Sequence, residues 1–287
     1  MMRKTVLGIA VLACCLILTG FLGGIHRGAD SIAILRPMLA VICFVGLFLT
    51  CSIWKRLLFG GMILLSTFTV GAHFTPQQTD TDIRVYSKNL GHKNVEMQKI
   101  VADIQAADVD VVMLQEVTLQ NEHILKDLQN EFPFTHLCRF SGRVGIAVMS
   151  RHTFAGDPMC SDLRAVSAAP ILLDGKHLWV VSVHIPWPWP FDTAKNENAA
   201  VNTLSNLKGM VVIASDFNMV PWSGRVGRIA SMTGTTLAGP VLPTLFLGKI
   251  PLPIDLAMAP GGGTIATRPQ FGSQHFGIIA DLTVWPP

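Results

Sequence analysis

Three long apolar runs occupy the first quarter of the chain, and each is long enough to predict a helix within a membrane. Thr5–Gly24 is a run of 20 residues without charge, which is about the length needed to cross a bilayer. Ile32–Trp54 is a second run, interrupted near its start by an Arg-Pro pair, and Leu57–Ala72 is a third. We therefore predict about three transmembrane helices, which form a membrane anchor over residues 1–73.

Basic pairs flank these runs and predict their orientation. Arg3-Lys4 precedes the first run, and Lys55-Arg56 separates the second from the third. The positive-inside rule places both pairs in the cytoplasm, although two arginines occur in the opposite loop. The sequence thus predicts a multi-pass inner-membrane protein whose later part faces the periplasm or the exterior. A cleaved signal peptide is disfavoured because the first run is too long, and Cys14 lies too deep within that run for a lipoprotein motif.

The pattern changes after residue 73. Residues 74–81 are polar and are predicted to be a linker, and residues 82–287 are predicted to form one α/β domain. Short apolar or alternating runs bounded by turn residues predict strands, and apolar positions with one-face helical spacing predict helices. The predicted strands lie near 82–88, 109–114, 134–140, 144–150, 164–173, 177–184, 211–216, 254–258 and 275–285, and the predicted helices near 94–104, 119–130 and 191–207.

Composition separates the two parts of the chain. Hydrophobic residues make up 50% of the sequence and charged residues only 14%, with a mean hydropathy of +0.45, whereas soluble domains carry about 25% charged residues. Residues 1–73 hold six Lys/Arg and one acid, a net charge of +5, and residues 74–287 hold sixteen and eighteen, a net charge of −2. This balance argues against a broadly basic nucleic-acid-binding face. Cys138 and Cys160 could form one disulfide if their domain lies outside the membrane.

Polar side chains recur where the predicted apolar strands end. The apolar run from Val211 ends in Asp216-Phe217-Asn218, and open α/β sheets place ligands at such carboxyl ends. One strand-end acid or amide is usually only a turn former, but seven such residues in one domain indicate a site. They offer a carboxylate for a hard metal ion, amides and imidazoles for phosphate oxygens, and an acid to orient a histidine: Asn89, Glu116, His184, Asp216, Asn218, Asp255 and His275.

The order of these motifs resembles the endonuclease/exonuclease/phosphatase superfamily. The resemblance covers residues 82–285 and implies its DNase-like α/β fold, a four-layer sandwich of two packed mixed sheets flanked by helices. The membrane anchor is similar to that of bacterial members that tether this domain outside the inner membrane. The matching pieces are Asn89, Leu114-Gln115-Glu116, Gly145 to Arg151, Val183-His184, Ser215-Asp216-Phe217-Asn218, Ile254-Asp255 and Ser273-Gln274-His275.

The resemblance implies a divalent metal ion, Mg²⁺ or Mn²⁺, held by Glu116 with Asn89 close by. Oxygen ligands and retained waters suit those ions better than zinc. The implied activity is hydrolysis of a phosphoester by in-line attack of water, in which the metal neutralises charge on the transferring group.

The resemblance also implies roles for the other five residues. His184 and Asn218 would hold and polarise the phosphoryl oxygens, and Asp216 would position or activate the attacking water. Asp255 would hydrogen-bond His275 and so fix the tautomer with which that imidazole contacts the phosphate or transfers a proton.

Two residues depart from the family pattern. Ser215 stands where the family usually has glycine, which is a mild change if the backbone there needs no positive φ. Gln274 stands where the family's Ser-Asp-His motif carries an acid that is commonly a further metal ligand, so metal affinity is weakened on this expectation. A second hypothesis is therefore a catalytically impaired domain that binds a phosphorylated ligand, and a third is a domain whose strand-end polar residues are only caps.

The substrate class stays open on sequence alone. A stiff aromatic loop, Ile185-Pro186-Trp187-Pro188-Trp189-Pro190-Phe191, follows His184. Tryptophan favours membrane interfaces, stacks on single-stranded bases, or simply packs over the edge of a core. The expected partners are thus the membrane and a phosphoester substrate, either a lipid or a nucleic acid, without an obligate protein partner.

Overall fold

The first part of the chain is a bundle of helices. A computed structural model describes residues 2–77, 80–140 and 144–285. Two members of the predicted linker, Gln78 and Thr79, and the last two residues of the predicted domain lie outside the described residues. The helices of the anchor are α1 (Met2–Thr19), α2 (Arg27–Ala33), α3 (Arg36–Leu49) and α4 (Ile53–Gly71), with 3₁₀ helices at Gly20–Gly24 and Ala72–Phe74.

Two of these helical segments are long and apolar enough to cross a membrane, and a bent pair supplies a third if its halves form one span. The two segments are Met2–Gly24 and Ile53–Phe74, and the bent pair is α2 with α3, whose axes differ by 62°. The prediction of membrane-length apolar helices in this part of the chain is confirmed to that extent.

The boundaries predicted for the second run are wrong. The helix α3 spans only Arg36–Leu49 of the predicted run Ile32–Trp54, with a break at the Arg-Pro interruption, and α4 already begins at Ile53. Pro37 accounts for the break, because proline disfavours helical geometry in the preceding residue but is tolerated in a helix's first turn. Lys55-Arg56 therefore lies in the first turn of α4 and not between two helices.

The bundle is held by close packing of small residues. Cys43 and Ala10 are fully buried, and a methyl group added at Gly46 would lie 2.5 Å from the Ala10 side chain. Arg3 Nε donates to the carbonyl oxygen of Leu49 at 2.7 Å, so the start of α1 lies beside the end of α3. Both basic pairs consequently lie at one end of the bundle, and the loop from α1 to α2 lies at the other.

The described residues after the anchor form fourteen strands and four helices. The strands are β1 (Ile83–Asn89), β2 (Val111–Val117), β3 (Phe134–Arg139), β4 (Gly145–Ser150), β5 (Met159–Cys160), β6 (Val166–Leu173), β7 (Lys176–Val183), β8 (Met210–Asp216), β9 (Thr236–Leu237), β10 (Leu245–Leu247), β11 (Ile250–Leu252), β12 (Asp255–Ala259), β13 (Gly263–Arg268) and β14 (Gly277–Leu282). The helices are α5 (Met97–Ala107), α6 (His123–Asp127), α7 (Ala194–Ser205) and α8 (Gly224–Thr233).

Twelve of the strands form two six-stranded sheets that pack face to face. The first has the order β13-β14-β1-β2-β4-β3 and the second β5-β6-β7-β8-β12-β9. Each is mixed, since β1 with β2 and β7 with β8 are the parallel pairs. A buried apolar layer that includes Val85, Met113 and Val212 separates the sheets, while α5 and α6 cover one outer face and α7 and α8 the other. The predicted two-sheet sandwich flanked by helices is confirmed.

Several local predictions need correction. The helix predicted over residues 119–130 is only α6, and the helix predicted to be capped by Asn94 begins at Met97. Asn94 instead donates to the carbonyl oxygens of Leu90 and Phe271, because a buried amide in a loop is used where backbone oxygens lack partners. His275 precedes strand β14 by two residues and does not begin it.

A disulfide between Cys138 and Cys160 joins β3 of the first sheet to β5 of the second. It therefore crosslinks two edge strands at the same side of the sandwich.

The described part of the predicted linker is held on the domain, because the Gln77 amide donates to the Leu237 carbonyl oxygen and accepts from the Gly263 amide.

Candidate active site

The ends of strands from both sheets meet, and they bring the predicted residues into one cluster. Asn89 ends β1, and its amide nitrogen donates to Glu116 Oε1 at 3.2 Å and to Asp216 Oδ2 at 3.0 Å. Asp216 ends β8 in the opposite sheet and lies directly across the strand pair from Asp255. The convergence follows from the sheet packing, since β1 and β8 lie against each other with their carboxyl ends on the same side.

Glu116 is presented by an irregularity in β2. Its backbone has a φ of +56°, and the register of β2 against β4 shifts between Gln115 and Val117. A positive φ in a residue with a side chain is strained, and here it turns the carboxylate out of the sheet. Oε2 accepts from the His92 backbone amide at 2.8 Å. Burial alone would raise the pKa of Glu116, but nearby His184, the Asn89 amide and the His92 amide outweigh it and lower the pKa, so the side chain is ionised at neutral pH.

Asp216 is the hub of the cluster. It is fully buried, and Oδ1 accepts from the Asn218 backbone amide at 2.8 Å. Oδ2 lies 3.4 Å from His184 Nδ1 and 3.9 Å from His275 Nε2. Burial opposes ionisation of this carboxyl, but His275, His184 and the hydrogen bond from Asn89 lower its pKa well below the usual range.

Asp255 and His275 form the pair that the resemblance implies. His275 Nδ1 lies 2.9 Å from Asp255 Oδ2, and the Asp255 backbone amide donates to Thr244 Oγ1. Burial disfavours the imidazolium form, yet Asp255 and Asp216 outweigh it and raise the pKa of His275 to about 9. A positively charged imidazole therefore bridges two carboxylates at neutral pH.

His184 and Asn218 are held on the opposite side of Asp216. His184 Nε2 lies 3.8 Å from Glu116 Oε1, so its ring lies between two carboxylates. Asn218 has a φ of +49°, and its amide nitrogen donates to the Ile185 carbonyl oxygen at 3.1 Å. All seven predicted residues are thus brought together, and their individual roles stay predictions.

The site opens to solvent through a cavity. A cavity of about 330 Å³ is lined by Asn89, Glu116 and His275 among the predicted residues. The other four lie directly behind these three and are buried. Gln274 also lines the cavity, together with His92, Lys93 and the loop at Gly272.

Lys88 supports the site and was not predicted. Lys88 is fully buried on β1, and its ammonium group donates to the carbonyl oxygens of Pro269 and His275 at 3.1 Å each. Burial lowers its pKa to about 8. Lys88 therefore fastens the loop that carries His275 to the first sheet, and a lysine beside Asn89 in an otherwise buried strand is the signal that could have indicated it.

A second unpredicted group is a polar layer beneath the site. The Gln115 amide nitrogen donates to the hydroxyl groups of Ser182 and Ser87 at 2.9 and 3.2 Å. Ser215 Oγ accepts from the Val183 backbone amide. Ser215 lies in regular strand and is not among the described residues with positive φ. The departure from the family's glycine is therefore accommodated, and the hydroxyl group links β8 to β7 just before His184.

The carboxylates of the site suit a divalent metal ion. Glu116 is ionised, lines the cavity and is 23% exposed at its side chain, which leaves room for a hydrated hard cation. Asn89 turns its oxygen to the Gly91 amide at 2.9 Å and its nitrogen to the two carboxylates, so it acts here as a donor and its role as a ligand stays a prediction. Ligand-type atoms of Asp216, Asp255 and His275 also lie within 4.8 Å of one another, but the imidazolium already neutralises that pair of carboxylates.

A comparison with known protein families identifies the family of this chain. A family model described as the Endonuclease/Exonuclease/phosphatase family matches residues 86–277, which is well over half of the chain and includes all seven predicted residues. The chain belongs to the endonuclease/exonuclease/phosphatase family. Members of this family are typically metal-dependent hydrolases of phosphoester bonds. No curated protein sequence matches the chain significantly.

Solved structures of the endonuclease/exonuclease/phosphatase family share this fold at low sequence identity. A family protein from Bacteroides vulgatus superposes with a TM-score of 0.59 at 14% identity, covering 72% of this chain and 100% of its own. The 3′ phosphatase NExo from Neisseria, bound to a product DNA hairpin, has a TM-score of 0.56 at 16% identity over 70% of this chain and 99% of its own. D. rerio TDP2 complexed with single-strand DNA product has a TM-score of 0.55 at 14% identity, covering 69% of this chain and 97% of its own.

Proposed function

We propose that this chain is a membrane-tethered, divalent-metal-dependent phosphoesterase. One observation carries the proposal: an ionised carboxylate open to a cavity, Glu116, lies in one cluster with a buried carboxylate hub, Asp216, and the Asp255–His275 pair. Caps of unrelated strand ends would have no reason to converge in this way. A bound Mg²⁺ or Mn²⁺ at Glu116 would supply positive charge to the phosphoryl group.

The other catalytic roles fall to side chains of the protein. Asp216 positions or activates the attacking water through Oδ2, which accepts from the Asn89 amide at 3.0 Å and lies at 3.4 and 3.9 Å from two imidazoles. His275, cationic and lining the cavity, contacts the phosphoryl oxygens and is held in one tautomer by Asp255. His184 and Asn218 complete the set of donors around the transferring group.

The proposed organisation is an anchor over residues 1–73, a linker over residues 74–81 and a catalytic domain over residues 82–287. The anchor is multi-pass in the inner membrane. Two features support an external catalytic domain. Arg3-Lys4 and Lys55-Arg56 gather at one end of the helical bundle, and residues 20–35 at the other end contact the domain. The positive-inside rule assigns the first end to the cytoplasm and the second to the outside.

The decisive experiment is an activity assay of the full chain in detergent or nanodiscs. We expect hydrolysis of a generic phosphodiester or phosphomonoester with Mg²⁺ or Mn²⁺, and loss of at least about 100-fold of that rate on chelation with EDTA, because the metal stabilises charge in the transition state. Hydrolysis that persists in EDTA would contradict metal dependence. Tight phosphate binding without turnover of any phosphoester would favour the alternative of a catalytically impaired binding domain, for which Gln274 is the motivating residue.

The aromatic loop favours a substrate at the membrane. Its two tryptophans differ, since Trp187 packs partly buried against the domain core and Trp189 is 65% exposed. Trp189 borders a cavity of about 330 Å³ together with Ile25, which follows the first apolar helix and is 85% exposed. Trp189 therefore lies level with the end of a membrane helix, where tryptophan is favoured.

Trp189→Ala tests this assignment. We expect it to lower kcat/KM for a phospholipid in vesicles by about fivefold to tenfold, the equivalent of about 1–1.4 kcal/mol of lost interfacial contact, and to leave a soluble phosphodiester unaffected. Leu172→Ala is the matched control, because Leu172 is also exposed and apolar but lies at the hairpin end of β6 and β7, opposite His184. A selective loss with single-stranded DNA would indicate base stacking instead, and no selective loss would contradict both.

A further inference from the structure

The loop between α1 and α2 of the anchor docks directly on the catalytic domain. Asp30, the only acid among the first 73 residues, is 1% exposed. Its Oδ1 accepts from the Gly224 backbone amide at 2.6 Å and its Oδ2 from the Arg225 amide at 3.1 Å. These are the first two amides of α8, which have no partners within the helix, and a negative charge at a helix amino terminus is favourable.

The fit between the two parts is close at the level of the backbone. A methyl group added at Gly224 would lie 2.5 Å from the Gly24 nitrogen, and one added at Gly23 would lie 3.2 Å from the Gly224 nitrogen. Trp222 Nε1 donates to the Ala33 carbonyl oxygen at 2.7 Å. These contacts indicate one fixed docking geometry.

The Arg225 side chain connects this docking to the site. Its guanidinium group is 3% exposed and pairs with Glu197 at 2.6 Å. The same group donates to the carbonyl oxygens of Pro186 at 2.9 Å and Phe217 at 3.4 Å. Pro186 follows His184 by two residues, and Phe217 lies between Asp216 and Asn218. One side chain thus holds both loops that carry catalytic groups, while Asp30 of the anchor holds its backbone.

Helix α8 depends on this support because its own sequence is a poor helix former. Two of its ten residues, Gly224 and Gly227, are glycines, and glycine disfavours a helix relative to alanine. Its first turn carries no acid of its own. Asp30 therefore supplies from outside the helix the negative charge that the α8 sequence lacks.

We propose that Asp30 is a positioning residue for the active site, so that the catalytic loops reach their working geometry only when the anchor is docked on α8. The proposal rests on the proposed function and deepens it. Separation of the domain from residues 1–73 would leave two amides of α8 and the Trp222 indole without partners, and Arg225 would lose its backbone support. The membrane anchor is on this view a part of the enzyme and not only a tether.

The test uses the full chain in nanodiscs with Asp30→Asn and Asp30→Ala. We expect kcat with a soluble phosphodiester to fall about threefold to tenfold for Asn, which keeps one acceptor oxygen, and more than tenfold for Ala, with KM changed less than twofold. Arg27→Gln is the matched control, since Arg27 lies in α2 as Asp30 does and forms an exposed pair with Asp192 at 3.4 Å; it should retain wild-type kcat.

Hydrogen–deuterium exchange gives a readout that does not require activity. In Asp30→Ala we expect faster exchange in segments 184–189 and 216–220, and unchanged exchange in the β6–β7 hairpin, whereas general destabilisation would accelerate both. Unchanged kcat and unchanged exchange in Asp30→Ala would overturn the proposal. If the wild type hydrolyses no phosphoester, the proposed function fails, and exchange alone then decides the coupling. If Asp30→Ala does not fold, Trp222→Phe, which loses one hydrogen bond to Ala33, is judged by the same two measurements.

Discussion

Asp216→Asn is expected to lower kcat by about 10³-fold to 10⁴-fold, with little change in KM. General-base catalysis alone contributes about 10²-fold to 10⁴-fold, and this substitution also removes the charge that faces His184 and His275. Because the pKa of Asp216 is lowered, the protein never populates a neutral side chain there at ordinary pH. The amide is nearly isosteric and can still accept from the Asn218 amide, so the fold should be retained.

The same variant should change the titration of His275, which NMR can follow in the metal-free protein. The pKa of His275 is about 9 in the folded chain against an ordinary 6.5. The stabilisation that the imidazolium gains is therefore fully present below pH 6.5 and is lost as the pH rises through 9. Loss of the Asp216 charge should lower the pKa of His275, so that this stabilisation is lost at a lower pH. A kcat within tenfold of wild type, or an unchanged His275 titration, would contradict the central role of Asp216.

Glu116→Gln is expected to weaken binding of Mn²⁺ by at least about 100-fold and to reduce activity in parallel. Substitution of groups that only support a metal ligand costs about 10-fold to 100-fold in affinity, so loss of a charged ligand should cost no less. Calorimetry or electron paramagnetic resonance of Mn²⁺ measures the affinity. Glu122→Gln is the control, because Glu122 instead pairs with Arg139. Unchanged Mn²⁺ affinity in Glu116→Gln would remove Glu116 from the metal site.

Gln274→Asp should act in the opposite direction on the same measurement. Gln274 lines the cavity with Glu116 and is exposed, so a carboxylate there can approach a cation without being buried. We expect Mn²⁺ affinity to rise about tenfold, since a carboxylate binds a hard cation more strongly than a neutral amide. No gain in affinity would mean that position 274 lies outside the ligand sphere in this chain.

The strand ends were predictable because burial leaves a clear pattern. A run such as Val211 to Ala214, which is short, apolar and bounded by turn residues, favours a buried strand, and the polar residues after it are then expected at the sheet edge. The pairing of Asp255 with His275 came from the family resemblance, and the 2.9 Å contact agrees with it. The orientation of a side chain cannot be predicted from the hydrophobic pattern. Asn89 is an example, because its amide nitrogen, and not its oxygen, faces the carboxylates.

The elements that were missed are those specified by distant residues. Helix α8 has two glycines and no acid in its first turn, and its partner Asp30 lies 194 residues earlier in the chain. Strands β10 and β11 form a short hairpin with exposed apolar side chains, so their pattern lacks the alternation of a half-buried strand. The helix predicted over residues 119–130 is shorter because the Asn121 side chain instead accepts from the Thr118 backbone amide and donates to the Glu116 carbonyl oxygen.

On the proposed function, the docking of residues 20–35 on α8 limits the volume in which the catalytic domain can encounter a substrate. A domain on a flexible linker can move through a large volume around its attachment point and meets a tethered partner at a roughly millimolar effective concentration. If residues 1–73 form the proposed membrane anchor, a domain docked on them keeps its cavity at one height and one tilt above the lipid. Encounter with substrate then becomes a two-dimensional diffusion problem. Turnover should therefore depend on the surface density of a membrane-borne phosphoester and not on its bulk concentration.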